Sequence, residues 1–160
     1  MSTDAATPEQ DIPEGFVPLA TTSPYLMLSG PLYQKPAADG SVILGVRIER
    51  KHTNMRGITH GGMLVTLADS ALGRNLGLSR TPHQPMVSVS LSTDFLGSAH
   101  PGDWLEAHVQ VRKHGSRLSF AECFLTVGDK PIVRTSGVFA VVSPVAGKAA
   151  AAGVTEVPEG

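Results

Sequence analysis

The sequence predicts an α+β domain in which one long helix packs on the face of a mostly antiparallel sheet. Two observations carry this. Residues 60–77 place Met63, Leu64, Leu67, Ala68, Ala71, Leu72 and Leu76 at helical spacing. Nearly everything else between about 42 and 142 alternates with period two, the mark of half-buried strands. One helix among several strands is the α+β pattern.

The elements follow in chain order. Residues 1–20 are rich in Pro, Thr, Ala and acidic residues and are expected to form a flexible arm, with Phe16, Val17 and Leu19 able to dock. The domain is expected over 21–142. Val42, Leu44, Val46 and Ile48 alternate as a first strand. The helix has Thr59 as an expected N-cap and Gly77 as an expected stop. Val87, Val89, Leu91, Thr93 and Phe95 then form one strand face, with Ser88, Ser90, Ser92 and Asp94 on the other. Leu105, Ala107, Val109 and Val111 alternate with polar residues, and 117–127 and 131–142 are two further strands. His114-Gly115-Ser116 and Gly128-Asp129-Lys130 read as turns. The predicted order is one or two strands, the helix, then four strands. Residues 143–160, with Ala149–Ala152 and almost no large apolar side chain, are expected to be a disordered tail.

Composition narrows the function. The 160 residues carry a net charge of -1 and are 41% hydrophobic, which suits a globular protein and not a general nucleic-acid binder. No apolar run approaches the ~18 residues of a membrane span. Met1-Ser2-Thr3-Asp4-Ala5 lacks the basic start and apolar run of a secretory signal. The single cysteine, Cys123, has no internal partner, so a reducing, cytoplasmic setting is expected. His52, His60, His83, His100, His108 and His114 form no HxH or HxxxH pair, and CxxC, GxxxxGK[ST] and GxGxxG are absent. No metal and no nucleotide cofactor is expected.

The helix holds the chemistry. Its apolar stripe centres between Leu67 and Ala71, and Asp69 lies about 150° away among Gly62, Val65, Thr66 and Gly73. That second face carries no Lys, Glu or Gln, unlike an ordinary exposed face. Burial on two sides is therefore expected, one of them against another subunit. A carboxylate confined there is paired, hydrogen-bonded or functional; a solvated helix carboxylate is the competing reading. Gly61-Gly62 costs the first turn about 1 kcal/mol per glycine, but leaves its backbone N–H groups unobstructed. Such donors suit a carbonyl oxygen that becomes an oxyanion, although the glycines also suit a plain tight turn. From His60 to Asp69 is about 13–14 Å along the axis and half a turn around it. One helix cannot bring both ends of this segment to a single carbon. A two-fold axis between antiparallel helices can.

The run Asn54-Met55-Arg56-Gly57-Ile58-Thr59-His60-Gly61-Gly62-Met63-Leu64-Val65-Thr66-Leu67-Ala68-Asp69 resembles the signature of hotdog-fold thioesterases of the phenylacetate-pathway (PaaI) type. Asn, His-Gly-Gly and the Asp nine residues after the His agree in type and spacing. The likeness runs from about Tyr25 to Val142, through Val87-Ser88-Val89 and the turn Arg112-Lys113-His114-Gly115-Ser116.

The resemblance implies a sheet wrapped around a central helix, paired into dimers and commonly into dimers of dimers. It implies hydrolysis of an acyl-CoA thioester at the dimer interface, without a cofactor. Asp69 takes the place of the general base or nucleophile, and Ser88 that of the residue orienting the water. Asn54 and the Gly61 N–H would polarise the carbonyl, with His60 positioning nearby groups. Val87 and the turn residues Arg112, Lys113, His114, Gly115 and Ser116 would bind substrate, the turn lying near the CoA phosphates and pantetheine. Taken singly, Asn54 also reads as a turn residue, Ser88 as the polar side of a strand, His60 as a buried histidine and Arg112, Lys113, His114 and Arg117 as a solvated turn. A non-catalytic acyl-CoA sensor is the second reading, and a hotdog hydratase or dehydratase the third. Pocket depth is expected to depend on Leu72, Leu76 and the 78–86 loop, and the acyl group stays open.

Overall fold

The structure is a computed structural model that describes residues 11–143. The parts of the expected arm and tail at 1–10 and 144–160 lie outside the described residues. Seven strands, β1 (Val17–Pro18), β2 (Tyr33–Pro36), β3 (Val42–Arg47), β4 (Met86–Phe95), β5 (Trp104–His114), β6 (Leu118–Val127) and β7 (Lys130–Val141), form one sheet. Two helices accompany it, α1 (Pro24–Ser29) and α2 (Gly61–Leu78), with a 3-10 turn at Arg50–His52. The strand order is β1-β2-β3-β5-β6-β7-β4, and every pairing is antiparallel. This is the wrapped sheet and central helix of the hotdog fold.

Three strands precede α2, where one or two were predicted. The additional ones are short and sit at the sheet edge, and they carry Phe16 into an edge-to-face contact with Trp104, 5.0 Å between ring centroids. The docking end of the arm is thus part of the sheet, with Leu19 N–H bonded to Leu32 O at 2.8 Å. Helix α1 was not foreseen. Ser23 caps it and Pro24 opens it, the arrangement in which proline's missing N–H is harmless.

The core lies between α2 and the inner sheet face. Leu64, Leu67, Ala68, Ala71, Leu72 and Leu76 meet Leu44, Val46, Leu105, Leu125, Val133 and Phe139 there. Gly137 lets the helix come this close: a Cβ on it would stand 2.9 Å from Leu72 and 2.8 Å from Phe139. Asn75 is buried on the same helix and substitutes for a strand neighbour. Its Oδ1 accepts the Val42 N–H at 2.8 Å, and its Nδ2 donates to Val42 O and Ala71 O at 2.9 Å. Cys123 is fully buried in β6, and burial pushes its thiol up to about 12.

The helix begins one residue later than predicted. Its N-cap is His60, not Thr59. Thr59 is buried and stitched to the 99 position, its N–H and hydroxyl both donating to Ala99 O at 2.9 Å. The C-cap is Ser79. Gly77 serves a close approach instead of a stop, since a Cβ there would lie 2.7 Å from Gln84 O.

Candidate active site

Strand β4 does not alternate as predicted. A bulge between Ser88 and Ser90 shifts its register against β7. Ser88 opposes Phe139 and Leu91 opposes Gly137, both on the helix-facing side, whereas Ser90 opposes Val138 on the outer side. An unbroken strand would put Ser88 and Leu91 on opposite faces. The bulge brings both to α2.

There Ser88 Oγ donates a hydrogen bond to Asp69 Oδ1. Asp69 is half-buried and has no cation within ion-pair distance among the described residues. It lies on a cleft of about 450 Å³ together with Val65, Thr66 and Ser70 of α2, Leu91 of β4 and Tyr25 of α1. The carboxylate therefore has one fixed donor, a free second oxygen and space beside it. Leu72 and Leu76, expected to set pocket depth, are fully buried against the sheet, and no residue of 78–86 lines this cleft.

The start of α2 is about 12 Å along the axis from Asp69. His60 is exposed, which removes the buried-histidine reading. Its Nδ1 accepts the Gly62 N–H at 2.8 Å, so in the neutral ring the proton sits on Nε2. Of the two glycine amides, Gly62 is consumed and Gly61 is left without a partner among the described residues. A Cβ on Gly61 would stand 3.2 Å from the Phe95 ring. Asn54 forms the turn before the helix: its Oδ1 accepts the Arg56 N–H at 2.9 Å, its backbone O accepts the Gly57 N–H, and its N–H donates to Ile58 O. Its side-chain NH2 stays available. The structure thus brings Asn54, His60 and Gly61 together at one end of α2, and Asp69 with Ser88 at its middle.

The third group lies at the other end. Arg80, which the sequence did not single out, donates from Nη2 to Gly115 O at 2.8 Å and Ser119 Oγ at 2.7 Å. The His114 ring bridges Ser79 Oγ and Ser119 Oγ, each at 3.0 Å. These bonds fasten the β5–β6 turn to the end of α2. Arg112 is committed elsewhere, as it pairs with Glu122, which also binds Arg134. Hydrogen bonds from Arg112 and then Arg134 hold the Glu122 carboxyl below its ordinary range. Lys113, Ser116 and Val87 are exposed. A groove of about 530 Å³ near this turn, lined in part by Asn75, Ser79, Gln110 and Arg112, sits 9–15 Å further along α2 than Asp69 by helical rise. Its own carboxylate, Asp39, is exposed on the turn before β3, where Oδ1 accepts both the Ser41 hydroxyl at 2.6 Å and the Ser41 N–H at 2.9 Å. Asp69, half-buried on the central helix, is the better candidate for chemistry.

Comparison with known proteins identifies the family and the fold. The thioesterase superfamily profile matches residues 56–133. The Pseudomonas aeruginosa protein PA0474, named as a candidate esterase, is 46% identical over 129 residues, 81% of this chain and 96% of that one. Human acyl-coenzyme A thioesterase 13 is 34% identical over 90 residues, 56% of this chain and 64% of that one, so the chain spans less than two thirds of that relative. The Escherichia coli PaaI protein of the phenylacetic acid degradation operon superposes with a TM-score of 0.60 at 22% identity, over 64% of this chain and 72% of that one, and shares the fold. The chain belongs to the thioesterase superfamily and is a hotdog-fold thioester hydrolase.

Proposed function

We propose that the protein hydrolyses acyl-CoA thioesters to CoA and a carboxylic acid, at two sites shared between the subunits of a homodimer. The observation that carries this is the Asp69 carboxylate, fixed by Ser88 through one oxygen and facing an open cleft with the other. A general base needs that arrangement. Asp69 takes a proton from water as the water oxygen attacks the thioester carbon. The carbonyl oxygen gains charge at the Gly61 N–H and the Asn54 NH2 of the second subunit. The C–S bond then breaks, and the thiolate leaves and is protonated. Direct attack by Asp69, followed by hydrolysis of the anhydride, uses the same atoms. The likeness to acyl-coenzyme A thioesterase 13 supports CoA as the thiol.

Three features support the shared site. The unpaired Gly61 amide and Asp69 are too far apart on one helix. Strand β4 is a ten-residue sheet edge with Val87 and Val89 about half exposed or more, an open template for a second copy. Met55, beside Asn54, is wholly exposed, as are large parts of Phe95 and Leu96. Lys113 and Ser116 are the groups of this turn that we assign to the CoA phosphates and pantetheine, with Arg112 confined to Glu122 and the His114 ring to Ser79 and Ser119.

The test is CoA release from a panel of acyl-CoAs. Asp69→Asn and Asp69→Ala are expected to lose at least about a hundredfold in kcat. Mixed Asp69→Ala and Asn54→Ala chains regain a fraction of the sites after subunit exchange. Full activity in Asp69→Ala overturns the mechanism, and no recovery despite proven exchange overturns the shared site. Tight acyl-CoA binding with no wild-type turnover would favour the sensor.

A further inference from the structure

The cleft beside Asp69 is closed on one side by α1. Ser23, Tyr25 and Leu26 reach it from this helix, opposite Val65 and Leu91. We propose that α1 sets the specificity of the enzyme: Tyr25 and Leu26 form the wall that limits the length of the acyl chain. This rests on reading the Asp69 cleft as the thioesterase site.

The wall acts by size. Thr66 Oγ1 donates to Gly62 O at 2.9 Å and Ser70 Oγ to Thr66 O at 2.8 Å, so both hydroxyls have spent their protons on helix carbonyls. What remains toward the cleft is largely apolar: the Tyr25 ring, Leu26, Val65 and Leu91. Such a surface discriminates by methylene count.

Leu26 packs against the edge of the core, whereas Tyr25 stands clear of it. No residue of α1 is fully buried. The helix is tied at its C-terminal end, where the His52 Nε2–H donates to Ser29 O at 2.8 Å and Lys51 Nζ donates to Gly30 O. Its other end is lightly seated. Tyr25 is 63% exposed and touches α2 through a 3.5 Å contact between its hydroxyl and Thr66. Truncating Tyr25 therefore opens the cleft without hollowing the interior, as a change at Leu72 would.

The experiment uses the full chain and two matched ligand series. Binding of non-hydrolysable thioether analogues of acyl-CoA, from two to sixteen carbons, is measured by calorimetry. Values of kcat/KM are measured on the corresponding thioesters. In Tyr25→Ala and Leu26→Ala the preferred chain lengthens by two or more carbons. Each newly accepted methylene tightens binding about fourfold, or ~0.8 kcal/mol. Met27→Ala, whose side chain does not line the cleft, keeps the wild-type profile. An unchanged profile in both wall variants with native circular dichroism overturns the assignment, and so does a uniform loss at every length. Failure of hydrolysis with a shifted binding profile strikes the Asp69 mechanism and leaves the wall standing.

Discussion

The bulge in β4 makes a sharp prediction. Ser88→Ala removes the donor to Asp69, whereas Ser90→Ala, two residues away in the same Ser-rich strand, removes a hydroxyl from the outer face. A hydrogen bond to an ionised carboxylate contributes about 1.5–3 kcal/mol. Ser88 is exposed, which places its bond near the lower end. At 1.36 kcal/mol per decade, the expected fall in kcat is about tenfold and at most about a hundredfold. Ser90→Ala should stay within about twofold of wild type. Both positions are exposed, so neither change should move stability by more than about 0.5 kcal/mol. CoA release at saturating acyl-CoA reads the difference. Equal losses in the two variants would refute the bulged register, and a Ser88→Ala enzyme of wild-type activity would refute the role of the hydrogen bond.

Two other predictions concern stability. His52 is buried, and that burial pushes its pKa below the ordinary histidine value despite the Ser29 carbonyl. Its Nδ1 accepts the Glu49 N–H at 2.9 Å, a bond that only the neutral ring can accept. The folded state thus binds this proton less readily than the unfolded state. The contribution is fully present above about pH 6.5 and is lost as pH falls from there toward the lower folded value, with a slope of up to ~1.4 kcal/mol per pH unit. Urea unfolding between pH 7.5 and 5 should show this slope in wild type and its loss in His52→Leu; parallel curves would contradict it. Gly137→Ala pushes a methyl into Phe139 and Leu72 and should cost about 1–3 kcal/mol, seen as a Tm lower by roughly 3–10 °C. An unchanged Tm would mean that the helix seats less tightly than described.

Much of the fold was legible because its signals are local. Helix α2 shows its apolar stripe over eighteen residues, and the first half of β5 and most of β6 and β7 alternate. Helix α1 escaped because Tyr25, Leu26, Met27 and Leu28 are contiguous and carry no period, although Ser23-Pro24 is a helix-start signal. The bulge escaped because Val-Ser-Val-Ser reads as perfect alternation, and only pairing with β7 decides where the phase breaks. The commitment of Arg112 to Glu122 likewise depends on strands whose register no single segment encodes. The cleft wall joins residues about forty positions apart, Tyr25 and Thr66, which no local pattern links.

The buried thiol has a practical consequence. Cys123 is the chain's only cysteine and has no exposed surface. A disulfide reagent added to follow CoA release therefore counts product alone while the protein stays folded. Opening of the sheet adds one stoichiometric equivalent of reactive sulfur per chain. Turnover and denaturation can be followed in the same cuvette, the first as a substrate-dependent rate and the second as a bounded step that appears without substrate.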